Sequence, residues 1–372
     1  MIILPSSLDA ATSRVVNLLF DSPQLCLHEF DLHTNQAIFI RMDRAGYAAS
    51  SFLDSRAVRA GDQLTALPLG GLLQLLPKLG LPRRRVDFLF HIGHCGSTLL
   101  SRVLAEFDDV LPLREPPPLL DLAQMLRFFG TPRMTLSMEQ WQQLFGLAMY
   151  LQARSYGADE RVMIKPMSHA NNLLPHLLAW HPHNRAALIH VDLPTCLATM
   201  LKPFNRPETR RALHESRARD FERLTGDPGL RMDLLTDAQA AAMVWLLQMS
   251  EFHQAVRAAG MRARLLPVHF DDFLRQPQEW LRRLTDFFGL AADASKIDAV
   301  LQGEVMSSYS KLPGAAYHRN RRGEELRHAR TQYAGEIENA LNWASEIVDR
   351  YPVLQLPQDA LAADSRLALP AR

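Results

Sequence analysis

Between residues 87 and 104 the chain reads DFLFHIGHCGSTLLSRVL. An apolar run leads into Gly93-His94-Cys95-Gly96-Ser97-Thr98, and then Leu99, Leu100, Val103 and Leu104 recur at helical spacing. A strand, a tight loop and a helix in that order wrap backbone N–H groups around one point, and the helix N-terminus adds its partial positive charge. The hydroxyls of Ser97 and Thr98 supply further donors. The chemistry such a loop performs is the holding of a phosphate-like anion. Each hydrogen bond to a charged oxygen contributes about 1.5–3 kcal/mol, so a handful of them can hold a phosphate without a metal. The pattern is not GxxxxGK[ST]: the second glycine follows after two residues and precedes Ser97, with no lysine. A bare strand-to-helix turn also uses two glycines, and the residues alone leave both readings open.

A second chemistry-bearing position is Lys165. Of 41 Lys and Arg residues only five are lysines (Lys78, Lys165, Lys202, Lys296 and Lys311), and Lys165 closes the apolar run RVMI with Pro166 behind it. The end of such a run is where the sites of parallel sheets gather. A structural salt bridge is the rival reading. His94 brings an imidazole into the loop, a donor whose charge near neutral pH is only partial.

The elements that must position these residues follow from the alternation of short apolar runs with long helical patterns after Val86. VDFLFHI (86–92), RVMI (161–164), AALIHV (186–191) and RARLLPV (262–268) read as strands, with helices between them. The predicted class is α/β: a central parallel sheet flanked by helices. Ser137-x-x-Gln140 and Thr236-x-x-Gln239 resemble capping boxes, and a last long helix is expected at about 323–348, with Trp343 and Ile347 on one stripe. Residues 1–85 read as a small N-terminal α+β extension in which LCLHEFDL and QAIFIRM form a hairpin. Pro82-Arg83-Arg84-Arg85 marks a solvated link, 86–350 the main domain and 351–372 a C-terminal tail. Trp141, Phe145 and Tyr150 tempt as an aromatic subsite, but their helical spacing favours core packing.

Composition bounds the rest. With 47% hydrophobic and 22% charged residues the chain is ordinary for a globular protein, and a net charge of +1 gives no global pull towards nucleic acid or membrane surfaces. Three cysteines (Cys26, Cys95, Cys196) at wide spacing form neither a disulfide framework nor a zinc motif, so a reducing, cytoplasmic setting and no metal are expected. Cys95 and Cys196 read as fillers rather than nucleophiles. No apolar stretch is long enough to span a bilayer.

At this point the chain resembles the sulfotransferases that use 3′-phosphoadenylyl sulfate (PAPS), of bacterial type. The loop G-x-x-G-S-T is similar to their phosphosulfate loop. Leu113-Arg114-Glu115-Pro116 resembles the segment that keeps a catalytic glutamate, and Met163-Ile164-Lys165-Pro166 the strand-ending K-[ST]-P segment. LIHVDLPTCLATM (188–200) resembles the grip on the 3′-phosphate, and VHFDDFLRQPQEWLRRLTDFFGL (268–290) the closing unit. The resemblance covers about residues 86–300 and implies a P-loop-type three-layer fold and in-line transfer of a sulfuryl group from PAPS to a hydroxyl or amine. It implies Glu115 as base, held by the stiff Pro116-Pro117-Pro118 segment, with His94 and Lys165 as further catalytic groups. Gly93, His94, Cys95, Gly96, Ser97, Thr98, Asp192, Thr199, Lys202 and Lys311 become the cofactor-binding set, with Arg321 or Arg322 as further phosphate contacts. The departures matter as well. His94 stands where the family has Lys or Arg, and Val191 where it has the 3′-phosphate arginine, a loss that Lys202 could offset.

The acceptor is a small molecule or peptide that the sequence does not identify. Residues 1–85 would shape its site or recruit a protein partner; no nucleic acid and no membrane insertion are expected. Two other classes compete: a P-loop kinase or NTPase in which Asp192 holds Mg²⁺ with ATP, and a catalytically weak nucleotide-binding module.

Overall fold

The structure is a computed structural model that describes residues 18–58, 63–80, 82–107, 110–202, 213–258, 260–306 and 319–354, without the side chains of 319 and 320. Lys311 and the tail beyond 354 lie outside the described residues, as does most of the loop expected over the cofactor.

Two sheets organise the described residues. In the first, β1 (Leu25–Asp31) and β2 (Gln36–Arg41) form the expected hairpin, and β3 (Thr65–Pro68) adds antiparallel to β2. In the second, β4 (Val86–His91), β5 (Val110–Arg114), β6 (Arg161–Lys165), β7 (Ala186–His190) and β8 (Leu265–His269) lie parallel in the order β5-β6-β4-β7-β8. Nearly every residue of these five strands is buried, as it must be in a parallel sheet covered by helices on both faces. The α/β class and the flanked parallel sheet therefore hold.

Two strands, β3 and β5, escape sequence reading. The segment β5 is a short VLPLR, and Pro112 argues against a strand; it is tolerated because β5 is an edge of the sheet, just as Pro267 is in β8 at the other edge. The start of the run at 262 is instead a 3₁₀ turn, Arg262–Arg264, and β8 begins at Leu265. Both capping boxes form: Ser137 and Thr236 accept from the amides of Gln140 and Gln239, whose side chains accept in return.

The single last helix is a pair, Arg319–Gln332 and Ala334–Arg350, broken at Tyr333, whose backbone (φ −110°, ψ 23°) leaves the helical region while its ring is buried. The break lets the first helix pack on the helix Leu193–Met200 and the second on Asp237–Arg257. The basic link is not simply solvated either. Arg85 pairs with the buried Asp87 at 2.9 Å and donates to the Phe288 carbonyl.

Candidate active site

The sheet's carboxyl edge carries the chemistry. Its five strands end in His91, Arg114, Lys165, His190 and His269, a row of titratable side chains at the edge where crevices form. The chain leaves β4 towards β5 on one side, and β6 and β7 send theirs to the other, so the topological switch falls beside β4.

The turn after β4 is built on left-handed backbone: φ is 80° at Gly93, 50° at His94 and 86° at Gly96. Gly96 is obligatory on space alone, because a Cβ there would lie 2.1 Å from the Phe270 ring. The helix Ser97–Leu104 then starts with no side-chain cap, which leaves first-turn N–H groups without an intrahelical acceptor. Ser97 and Thr98 are both buried at that end. Cys95 is fully buried, its thiol sits 3.4 Å from the Ile189 carbonyl, and burial pushes its pKa up to about 11, so it fills space and is no nucleophile.

Glu115 directly follows β5, whose Arg114 pairs in register with Lys165 of β6. Its N–H donates to the Lys165 carbonyl at 2.6 Å, and its carboxylate forms an ion pair with the Lys165 ammonium. The lysine side chain is 1% exposed and the glutamate 13%, so the pair lies in a largely desolvated setting with the carboxylate at its rim. The salt bridge expected as the rival reading for Lys165 is thus present, and its partner is the candidate base itself. His91 joins this pair to the loop. Its Nδ1 accepts from the Gly93 N–H at 3.0 Å, which leaves Nε2 to carry the proton, and Nε2 lies 3.8 Å from a Glu115 oxygen. The Gly93 amide is therefore engaged inside the protein rather than turned towards a ligand.

Among the described residues three non-glycines have positive φ: Asn35 in the hairpin turn, His94 and Glu115. Such backbone costs of order 1–3 kcal/mol and clusters where a side chain must point a particular way.

The second half of the expected binding set is engaged differently. Asp192 caps the helix Leu193–Met200, accepting from the Thr195 N–H at 2.6 Å. Thr199 donates its hydroxyl to the Thr195 carbonyl at 2.8 Å, and Lys202 pairs with Glu325 at 2.9 Å. A cation that the sequence did not single out reaches the same helix start: Arg330 donates to the Thr195 hydroxyl at 2.8 Å. Arg321 pairs with Glu325, whereas Arg322 pairs with Asp271 at 2.5 Å and lies over Phe270, the ring against Gly96.

Sequence reading also missed Arg114, His91 and the contacts through which the N-terminal unit joins the site. Arg114 is 1% exposed and donates to the carbonyls of Tyr47, Ala48 and Ser50, while the Leu53 N–H donates to the Arg114 carbonyl. That staple brings Phe52 over Lys165, with the ammonium 5.7 Å from the ring centroid. The only legible hints were an Arg beside Glu115 and a His closing an apolar strand.

Trp141 and Phe145 stack at 5.3 Å in the core, as their spacing suggested. A cleft of about 670 Å³ lined by His214, Glu215, Arg231 and Asp233 shares no residue with the strand-end cluster. Among the described residues no group of three His, Cys, Asp or Glu could hold a metal, and no helix is long and apolar enough to cross a membrane.

No family model matches the chain, and no curated protein matches it by sequence. Several of its structural neighbours are sulfotransferases. The sulfotransferase from Alicyclobacillus acidocaldarius is 12% identical over 72% of this chain and 96% of that one, with a TM-score of 0.35. STF1 from Mycobacterium tuberculosis is 14% identical over 72% and 81%, with a TM-score of 0.40. The mouse sulfotransferase SULT7A1, solved as a complex with PAP, is 14% identical over 67% and 74%, with a TM-score of 0.34.

Proposed function

We propose that this protein is a sulfotransferase that moves the sulfuryl group of 3′-phosphoadenylyl sulfate to a hydroxyl or amine of a small-molecule or peptide acceptor. One observation carries the reading. The carboxylate of Glu115 is tied to Lys165 on the neighbouring strand and approaches His91, which itself holds the first amide of the glycine loop. A base, a cation and an anion-holding turn thus belong to one connected unit at the sheet's carboxyl edge.

In this mechanism the N–H groups at the start of Ser97–Leu104, with Ser97 and Thr98, hold the phosphosulfate end of the donor. Glu115 takes the proton of the acceptor hydroxyl as its oxygen attacks sulfur. The bond from sulfur to the bridging oxygen breaks, and the electron pair leaves with 3′,5′-adenosine bisphosphate. Lys165, buried beside the base, meets the charge on the sulfuryl oxygens once Glu115 is protonated and its own pairing weakens; His94 donates towards the leaving oxygen. Arg330 and Lys202, at the start and just past the end of the helix Leu193–Met200, take the place of the arginine missing at Val191 for the 3′-phosphate. Asp192 acts as a helix cap here through Oδ1. The three described cysteines are free and buried, in keeping with a cytoplasmic setting.

The test is Glu115→Gln, which keeps the shape of the side chain and removes the base. Single-turnover transfer from labelled 3′-phosphoadenylyl sulfate is expected to slow by about 10²–10⁴-fold. Transfer at the wild-type rate would remove Glu115 from the chemistry.

A further inference from the structure

We infer that the N-terminal unit forms the acceptor-side wall of this site, and that Arg56 makes the site select acceptors bearing an anionic group such as a carboxylate. The inference rests on the transferase reading and deepens it.

Four observations lead to it. Phe52 lies against two cations, with the Lys165 ammonium 5.7 Å and the Arg56 guanidinium 3.6 Å from its ring centroid. Asp54 holds the Nε and NH2 edge of that guanidinium, at 2.8 Å from Nε and 2.5 Å from NH2. The remaining NH1 has no hydrogen-bond partner among the described residues, and the side chain is 55% exposed. The charge of Glu115 reaches this arginine: the hydrogen bonds and charge of Asp54 raise its pKa, and Glu115 adds to that.

The physical consequence follows from geometry. An ordinary surface arginine moves freely and gives little on meeting an ion. Here the plane of the guanidinium is fixed by a ring below and a carboxylate on one edge, so its free edge is already oriented and loses little freedom on binding. The wall that carries it is fixed as well. Arg114 binds the carbonyls of Tyr47, Ala48 and Ser50, and Arg102 donates to Ser51 at 2.9 Å, so residues 47–53 are anchored to the strand end that holds Glu115. The charges nearby are balanced. Lys165 offsets Glu115 and Asp54 offsets Arg56. What distinguishes an anionic acceptor is therefore the directed hydrogen bond at NH1.

Three phenols of one length separate the alternatives: 4-hydroxyphenylacetate, tyrosol and tyramine, which are anionic, neutral and cationic at their far end. Binding to the protein saturated with 3′,5′-adenosine bisphosphate is measured calorimetrically, and transfer from 3′-phosphoadenylyl sulfate is measured alongside. The wild type is expected to favour the anion over tyrosol by about tenfold, with tyramine weakest. Arg56→Ala should reduce the ratio of anion to tyrosol to near one, and Arg56→Lys should restore part of it. An order that is absent in the wild type, that survives in Arg56→Ala, or a failure of all three phenols to bind overturns the inference. Adenosine bisphosphate binding in the same experiment keeps that failure distinct from failure of the transferase reading, which would show as no nucleotide binding at all.

Discussion

The side chains that matter most are held by what surrounds them rather than by their own type. A glutamate before three prolines is an unremarkable surface carboxylate until the backbone at φ 55° and a buried lysine fix its direction. Likewise Gly96 is fixed by a ring. A methyl group there would meet three atoms of Phe270 at 2.1–2.4 Å, and the backbone at φ +86° is costly for any L-residue. Gly96→Ala is therefore expected to lower unfolding free energy by about 3 kcal/mol or more, read from urea titration, and to weaken adenosine bisphosphate binding. Phe270→Ala opens a cavity of its own but removes the clash, so the two substitutions together should cost less than the sum of their separate losses. A single variant as stable as the wild type would show that the turn is not packed as described.

At the level of elements, three helices meet around a buried charge cluster that the function does not use. Arg127 of Pro117–Phe128 and Arg217 of His214–Thr225 both pair with Asp220, at 2.7 and 2.9 Å, and Arg223 pairs with Glu251 of Asp237–Arg257 at 2.6 Å. Burial, and then the charge of Asp220, push the Glu251 carboxyl up to about 7 from its ordinary 4.5. Between those values the folded protein holds a proton that the unfolded chain releases, so this group's contribution to stability falls as pH rises through the window. Glu251→Gln should flatten the decline in melting temperature between about pH 5 and 7; an unchanged slope would place the titration elsewhere. Elements of this kind were legible where local rules govern, as at the capping boxes of Ser137 and Thr236 and the apolar run of β4. They were illegible where tertiary position governs. Pro112 hides β5 until one sees that β5 is an edge, and Tyr333 breaks a helix for the sake of its buried ring. The loop could be read from its two glycines, but the meeting of Glu115 with Lys165, 50 residues apart, comes from the β5–β6 register and no local pattern encodes it.

On the scale of the whole molecule, the N-terminal unit and the main sheet share one continuous core, with Leu19, Phe39 and Tyr47 in the same cluster as Phe88 and Leu188. Two buried arginines bind the parts together through main-chain carbonyls: Arg114 as described, and Arg154 at the carbonyls of Leu19, Ser22 and Leu25. Arg114→Ala leaves the carbonyls of Tyr47, Ala48 and Ser50 without that donor. It should cost about 3 kcal/mol or more in urea unfolding and make residues 44–53 the first site of limited proteolysis. Unchanged stability with an unchanged cleavage pattern would show that the unit stays in place without the staple. The central claim, however, concerns the turn after β4 as a metal-independent seat for the donor's phosphates. Calorimetric titration with 3′,5′-adenosine bisphosphate in the presence of a chelator tests it most directly. The account predicts saturable binding in the micromolar range that the chelator leaves intact; no binding at millimolar concentrations, or binding of ATP with Mg²⁺ in its place, would contradict it.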